Sequence, residues 1–252
     1  MQIIKLYDII YLPLERRYII LQKYSLDENF FENIDTEHKA YWLGFIYADG
    51  SLSKTAPKAR GKNRLQIFLS KKDICILENF KKDLCFTGPI HTNKYDNSYN
   101  KRDGVEVCYM QVNSSKLCSD LEGLGYVSNR YSIPNIPNRF VRDFIRGYFD
   151  GDGCMSVYEY DNKGPYNVYH RKAREFSITS PEEIILQFKK IFEEQCNVSK
   201  NVSIKRYKRT SKAVSLRYGG KQDVISLYHY LYDGATIYLQ RKYDNFQQVL
   251  KQ

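Results

Sequence analysis

Two stretches of the chain share one pattern: residues 40–50 read AYWLGFIYADG and residues 144–153 read FIRGYFDGDG. Each is an apolar, helix-like run that carries two small residues four positions apart. These are Gly44 and Ala48 in the first stretch, and Gly147 and Gly151 in the second. Residues four apart lie on one face of a helix, so each run presents a stripe of small residues that lets another helix approach closely. The pattern therefore predicts two helices that pack against each other.

An aspartate follows each stripe, Asp49 in the first stretch and Asp152 in the second, and a glycine expected to reverse the chain comes next. An acid is unfavourable at a helix C-terminus, where the last carbonyls already carry about half a negative charge. Two carboxylates about 4 Å apart at an effective dielectric near 20 repel by roughly 4 kcal/mol. We therefore expect a positive group at this place. A hard divalent cation fits carboxylates and helix-end carbonyls, and Mg²⁺ is the usual one beside phosphates.

The order of predicted elements after the first stretch is repeated after the second, which indicates an internal duplication. In each copy the order is helix, two strands, helix, two strands, helix. A single stretch is equally compatible with an ordinary buried helix and a polar cap, but the repetition disfavours that interpretation. Asn138 is the predicted N-cap of the second motif helix. The predicted division is an N-terminal extension at 1–34, a first repeat at 35–130, and a second repeat at 131–252 that ends in a C-terminal helix at 236–250.

The composition points to a polyanionic partner. The formal net charge is +10, and the chain contains 23 tyrosines, a combination typical of nucleic-acid binding. The six cysteines form no C-x-x-C pair and none has a histidine at zinc-ligand spacing, which favours reduced, buried thiols. No apolar run approaches the roughly 18 residues of a membrane helix. These features predict a soluble intracellular protein, with the cytoplasm of a prokaryotic or phage-infected cell as the expected compartment.

The stretches WLGFIYADG at 42–50 and IRGYFDGDG at 145–153 resemble the two signature motifs of a single-chain LAGLIDADG homing endonuclease. The resemblance extends to the spacing of the motifs, the order of elements, and the segment YLQRKY at 238–243. It implies an α+β fold of tandem pseudo-symmetric αββαββα repeats. In that fold the two motif helices pack at the centre, and an antiparallel β-saddle from each repeat lies on duplex DNA.

The resemblance also implies a metal site. Asp49 and Asp152 would bind the divalent ions, Mg²⁺ or Mn²⁺, that cleave one DNA strand each. The backbone carbonyls just before them, those of Ala48 and Gly151, would be further ligands. Family sites often include a basic residue near a strand end that polarises the metal-bound water. The best-placed candidates are Lys71 and Lys221, although a solvated lysine near a helix start is an equally good interpretation of either.

One position departs from the family pattern. Tyr47 stands where many members carry an acid, whereas Asp150 keeps the acid in the second motif. Because this position is not the essential metal ligand in the family, we do not expect the change to remove activity.

Alternation along the predicted strands identifies polar side chains that oppose apolar ones, and on a β-ribbon in the major groove such side chains can read base edges. These are Arg64, Gln66, Ser70, Ser177, Lys205, Tyr207 and Arg217. Basic residues in the predicted loops are expected to hold phosphates, which positions a protein without specifying sequence. These are Arg60, Lys62, Lys94, Arg102, Arg171, Arg174 and Lys208. Any one of them is equally a solvated surface residue, and the prediction depends on the set.

The sequence thus predicts a monomeric, site-specific endonuclease that hydrolyses one phosphodiester on each strand of a long, pseudo-palindromic DNA target with a divalent metal. Two alternatives on the same fold stay open. One is an RNA maturase that assists intron splicing, and the other is a DNA-binding regulator derived from a nuclease. The regulator is disfavoured because both motif acids are retained and residues 1–34 are too short for an added helix-turn-helix.

Overall fold

The structure, a computed structural model, describes residues 7–11, 18–22, 24–53, 63–95, 105–126, 131–163, 168–206 and 213–251. The first repeat comprises α1 (Glu37–Asp49), β3 (Gly50–Ser53), β4 (Arg64–Ser70), α2 (Ile74–Asp83), β5 (Ile90–Tyr95), β6 (Val105–Asn113) and α3 (Ser115–Gly123). The second comprises α4 (Val141–Asp152), β7 (Gly153–Lys163), β8 (Val168–Pro181), α5 (Glu182–Gln195), β9 (Lys205–Arg206), β10 (Ala213–Tyr218) and α6 (Lys221–Tyr232). The chain continues into α7 (Gln240–Leu250). Before the repeats, β1 (Tyr7–Tyr11) pairs antiparallel with β2 (Tyr18–Gln22).

The two repeats have the same sheet topology. The strand order is β3-β4-β6-β5 in the first sheet and β7-β8-β10-β9 in the second, and every pairing is antiparallel. In each sheet one face is buried against helices, with residues such as Ile67 and Met110 in the first and Phe176 and Leu216 in the second. The predicted fold class is confirmed. The boundaries of the extension and the two repeats stay predictions.

The two motif helices, α1 and α4, pack against each other through their glycines. A Cβ atom on Gly44 would lie 1.9 Å from the carbonyl oxygen of Phe144, and one on Gly147 would lie 1.9 Å from the carbonyl oxygen of Tyr41. Real Cβ atoms do not approach backbone so closely, so the helices must separate if either glycine gains a side chain. The close packing predicted from the small-residue stripes is confirmed.

The glycines after the two aspartates do not reverse the chain as expected. Gly50 (φ −75°) and Gly153 (φ −80°) have extended backbones and begin β3 and β7. Both positions need glycine for a different reason, because there is no room for a side chain. A Cβ atom on Gly50 would lie 2.6 Å from the carbonyl oxygen of Ile46, and one on Gly153 would lie 2.2 Å from the ring of Phe149.

The two helix starts differ. The side chain of Thr36 accepts a hydrogen bond from the backbone N–H of Lys39 (3.3 Å) and caps α1. The predicted cap of α4 is wrong: Asn138–Phe140 forms a 3₁₀ turn, and α4 begins after Phe140 without a side-chain cap. The turn already directs the chain into the helix, so no side-chain acceptor is used there.

All six cysteines are free thiols, but the prediction that they are buried holds only for Cys108 and Cys118. Cys196 is half-buried, and the prediction is wrong for the exposed Cys75, Cys85 and Cys154. Within the described ranges, none of the helices has the length and apolar character needed to cross a membrane.

Candidate active site

The C-terminal ends of α1 and α4 meet, which brings Ala48 and Asp49 of the predicted metal site next to Gly151. The Oδ2 atom of Asp49 lies 3.2 Å from the position of a Cβ atom built on Gly151, and the Cβ atom of Ala48 lies 2.3 Å from it. Asp152 is the next residue along α4. Asp49 is half-buried and Asp152 is exposed, so the pair is accessible from outside. The helix crossing therefore places Asp49 beside the Gly151–Asp152 end of α4.

The donors at this point suit a hard divalent cation. They are two carboxylates and two helix-end carbonyls, those of Ala48 and Gly151. Over the part of the chain that the structure describes, no group of three or more His, Cys, Asp or Glu side chains could hold a metal ion. Mg²⁺ commonly binds through one or two carboxylates, keeping waters and substrate phosphates as its other ligands. The residues present therefore fit a cation that is shared with a phosphate-bearing substrate.

A buried lysine lies at the same end of α4. The Nζ atom of Lys242 donates hydrogen bonds to the carbonyl oxygens of Phe149 (2.7 Å), Asp150 (2.7 Å) and Gly151 (3.1 Å). Burial lowers the pKa of Lys242 to about 8, partly opposed by the negative charge of Asp150. An ammonium group suits the negative end of a helix. Part of the positive charge expected here is thus supplied by the chain itself.

Sequence reasoning missed Lys242. It lies in the YLQRKY segment, which was noted only as part of the family resemblance. The family resemblance of this segment is the one feature of the sequence that points to Lys242. The strand patterns used to select the other candidate lysines do not apply to a residue of the C-terminal helix. The contact depends on how α7 packs.

Asp150 is the centre of a buried hydrogen-bond network and is not one of the two accessible motif acids. Its carboxylate accepts hydrogen bonds from the hydroxyls of Tyr41 and Tyr232 (both 2.8 Å) and from the backbone N–H of Leu239 (2.7 Å). Burial raises the pKa of Asp150, opposed by the charge of Lys242 and by these hydrogen bonds. Asp150 therefore joins α1, α6 and the start of α7 to α4.

Tyr47 is the counterpart of Asp150 in α1 and is surrounded by aromatic rings. Its ring makes edge contacts with those of Tyr126 (5.4 Å) and Phe144 (5.2 Å). Its hydroxyl donates to the carbonyl oxygen of Leu124 (3.0 Å). The hydroxyl of Tyr126 in turn donates to the carbonyl oxygen of Gly50 (2.7 Å). The tyrosine thus supports its helix end by apolar packing.

Arg146, at the start of the second motif, is fully buried and organises the opposite end of the helix pair. Its guanidinium contacts the carboxylates of Glu37 (2.6 Å) and Asp143 (2.8 Å). It also donates to the carbonyl oxygens of Leu231 (2.9 Å) and Ile237 (3.0 Å). Burial raises the pKa of Asp143, and the charge of Arg146 opposes that rise. These contacts of Arg146 join α1, α4, α6 and the segment between α6 and α7.

The C-terminal helix connects the two repeats. Arg241 donates to both carboxylate oxygens of Asp73 (2.8 and 3.0 Å), which lies in the 3₁₀ turn Lys71–Asp73 of the first repeat. The adjacent Lys242 contacts α4 of the second repeat. The start of α7 therefore links the 3₁₀ turn after β4 of the first repeat to the motif helix α4 of the second repeat.

The two lysines predicted to act on water occupy different places in the repeats. Lys71 follows β4, the second strand of its repeat, and its exposed ammonium pairs with Glu106 (3.0 Å). Lys221 follows β10, the fourth strand of its repeat, and begins α6 at an exposed position. The pseudo-symmetry of the fold does not relate them. Their catalytic role stays a prediction.

Strand alternation places most of the described base-contact candidates on the exposed sheet faces. Arg64, Gln66 and Ser70 alternate with the buried Leu65 and Ile67 along β4. In the second sheet the register puts the base-contact candidates Ser177 (β8), Lys205 (β9) and Arg217 (β10) on one face, together with the phosphate-contact candidate Arg171 of β8. Each sheet therefore presents one polar face.

Two candidates lie on the other faces. The sequence predicts a loop at 171–174, but β8 continues through these residues. Arg174 therefore lies on the side of β8 that carries the buried Phe176, opposite to Ser177. Lys94 pairs with Glu106 on the side of the first sheet that carries Met110. The candidates Arg60, Lys62, Arg102, Tyr207 and Lys208 lie outside the described residues.

Two repeats of one topology, a glycine-mediated helix crossing and an aspartate at each helix end define the single-chain LAGLIDADG homing endonuclease fold. Three solved structures share it. I-AabMI bound to uncleaved DNA matches with a TM-score of 0.56 and 15% identity, over 84% of this chain and 88% of that chain. I-SmaMI bound to cleaved DNA matches with a TM-score of 0.55 and 15% identity, over 87% of this chain and 89% of that chain. I-SmaMI bound to uncleaved DNA with calcium ions matches with a TM-score of 0.55 and 15% identity, over 84% of this chain and 89% of that chain.

The sequence matches no protein-family model and has no significant similarity to a curated protein. At this level of identity, the structural neighbours establish the fold of the chain.

Proposed function

We propose that the protein is a site-specific DNA endonuclease that hydrolyses one phosphodiester on each strand of a long, imperfectly symmetric duplex target. The observation that carries the proposal is the meeting of Asp49 with the Gly151–Asp152 end of α4 at a glycine-mediated crossing. The net charge of +10 and the polar face of each sheet support a duplex polyanion as the substrate. The structural neighbours are described as homing endonucleases or meganucleases bound to DNA.

In this proposal Asp49 and Asp152, with the carbonyls of Ala48 and Gly151, hold Mg²⁺ or Mn²⁺. A divalent cation supplies Lewis-acid activation of the phosphate and lowers the pKa of a bound water. The chain's own residues hold the donors in place: the glycine stripes set the helix crossing, and Lys242 fixes the carbonyl of Gly151. We propose that Lys71 and Lys221 each assist in polarising the attacking water.

The polar sheet faces would contact the bases, and the remaining basic residues would contact phosphates. The proposed base-contact residues are Arg64, Gln66, Ser70, Ser177, Lys205, Tyr207 and Arg217. The proposed phosphate-contact residues are Arg60, Lys62, Lys94, Arg102, Arg171, Arg174 and Lys208. One chain contains both repeats, so a monomer would suffice for both half-sites.

The direct test replaces each motif acid by its amide. Asp49→Asn and Asp152→Asn, singly and together, are expected to abolish double-strand cleavage of sites selected from randomised duplex DNA in Mg²⁺. Binding in Ca²⁺ should remain, because the amide keeps the shape of the side chain while losing its charge. Asp161→Asn, a change at an exposed acid of β7, is the control. Cleavage that persists in the double variant would refute the metal-site assignment, and assisted splicing without any DNA cleavage would favour the maturase alternative.

Binding to the selected duplex is expected to weaken steeply with salt. Each phosphate contact releases condensed counterions, so the slope of log K against log salt concentration should be about −0.9 per contact. Fluorescence anisotropy in Ca²⁺ between low and physiological salt measures this slope. A flat response would contradict a charged surface that follows the DNA backbone.

A further inference from the structure

Three aromatic side chains form a row across the exposed face of the first sheet. Phe68 on β4 pairs directly with Tyr109 on β6, and Tyr109 pairs directly with His91 on β5. The rings of Phe68 and Tyr109 stack at 4.7 Å with an interplanar angle of 24°. Those of Tyr109 and His91 stack at 4.9 Å and 21°. The phenylalanine remains 48% exposed, which leaves an apolar surface on a polar face.

The aromatic row lies at the end of the sheet nearest to the first motif aspartate. Gly50 pairs with Ile67, and Phe68 is the next residue along β4, level with Asp49 at the end of α1. The row also shares its face with Arg64 and Gln66. On a duplex held by this face, the row would therefore meet the half-site bases closest to the cleaved bonds.

The second repeat has a polar row at the equivalent place. Gly153 pairs with Ile178 as Gly50 pairs with Ile67, so Thr179 is the counterpart of Phe68. Thr179 pairs with Ser215, and Ser215 pairs with Lys205, which completes the row. Cross-strand stacking stabilises a sheet, but the second sheet forms with the same topology and no aromatic row there. The fold by itself does not require the aromatic row.

We propose that the aromatic row recognises the 5-methyl groups of thymines in the half-site bound by the first repeat. In the major groove thymine alone presents a methyl group, and apolar side chains are its usual contacts. The second repeat reads the equivalent positions through the polar side chains of Thr179 and Lys205. The two half-sites thus differ in the chemistry of their innermost contacted bases. This inference rests on the proposed function, because it requires a duplex on the sheet face.

Thymine-to-deoxyuridine substitution tests the inference, since it removes only the methyl group. Duplexes selected in Ca²⁺ are substituted at one thymine at a time in both half-sites, and binding of the unaltered protein is measured. We expect a loss of about threefold to fivefold per contacted methyl, the size associated with burying one such group, at one or two neighbouring positions of a single half-site. Deoxyuridine at the equivalent positions of the other half-site should have a smaller effect, because Thr179 offers one methyl group in place of a ring.

Phe68→Thr, which copies the second repeat, replaces the ring by a single methyl group, so its preference for thymine over deoxyuridine should fall well below that of the unaltered protein. Leu186→Ala is the matched control. Leu186 is 49% exposed on α5, a helix whose Phe192 packs on the buried side of the second sheet, so this variant should keep the full discrimination. The measurement on the unaltered protein needs no variant, so a folding defect in Phe68→Thr leaves the test decisive.

The outcomes separate the inference from the proposed function. If the protein binds and cleaves duplex DNA but no deoxyuridine substitution weakens binding, the role of the aromatic row is refuted and the endonuclease proposal stands. The same conclusion follows if Phe68→Thr folds and keeps the thymine preference. If no duplex DNA is bound at all, both proposals are refuted.

Discussion

The ends of the two motif helices carry the same Asp-Gly pair but are held by different chemistry. At the end of α1, Tyr47 packs among aromatic rings and makes one hydrogen bond to a backbone carbonyl. At the end of α4, Asp150 accepts three buried hydrogen bonds, and Lys242 donates to three helix-end carbonyls. The pseudo-symmetry therefore applies to the backbone and the two motif aspartates, whereas the residues that support the helix ends differ.

The largest effect that this comparison predicts is at Asp150. Asp150→Ala should lower the free energy of unfolding by about 4 kcal/mol, because it leaves Lys242 as a buried charge and two tyrosine hydroxyls without their acceptor. Chemical denaturation measures the change. Asp161→Ala is the matched control; its carboxylate is exposed and pairs with the exposed His170, so the loss should be within about 1 kcal/mol. Equal losses at the two aspartates would contradict the assigned role of Asp150.

Lys242 comes next. Lys242→Met keeps most of the side-chain length but removes the charged hydrogen bonds, so the free energy of unfolding should fall by about 2 kcal/mol. If the lysine also positions the carbonyl of Gly151, DNA cleavage should slow by on the order of tenfold or more while binding in Ca²⁺ is kept.

The control for Lys242 is Lys221→Met, an exposed change that should alter stability by at most about 0.5 kcal/mol. Cleavage by Lys71→Met and Lys221→Met then shows which lysines act on the reaction. Full cleavage by a folded Lys242→Met protein would limit this lysine to a structural role.

The smallest effect is expected at Tyr47. Tyr47→Phe removes one hydroxyl and keeps the ring packing, so the free energy of unfolding should fall by only about 1 kcal/mol and cleavage should be unchanged. Tyr126→Phe, which loses the hydrogen bond to the carbonyl oxygen of Gly50, is a neighbouring comparison. If Tyr47→Phe lowered the free energy of unfolding as much as Asp150→Ala, the two helix ends would depend equally on their polar contacts.

Local features were predicted well where a local pattern decides them. Alternation of apolar and polar side chains identifies the two faces of a half-buried strand directly, and it predicted correctly that Arg64, Gln66 and Ser70 lie opposite the buried Leu65 and Ile67 of β4. The prediction of Asn138 as a cap was wrong, because Asn138 begins the 3₁₀ turn that precedes α4. No local pattern in the sequence indicates that turn.

The sequence by itself determined the two stripes of small residues and the acids that follow them, because these are encoded in residues a few positions apart. It also determined the duplication, because the same local pattern and order of elements occur twice. Only the tertiary structure decided that Gly50 and Gly153 are needed for space, that Lys242 covers the end of α4, and that an aromatic row lies level with Asp49. Each of these depends on contacts between segments that are distant along the chain or on strand register. Such contacts form only when the elements pack, so no local periodicity records them.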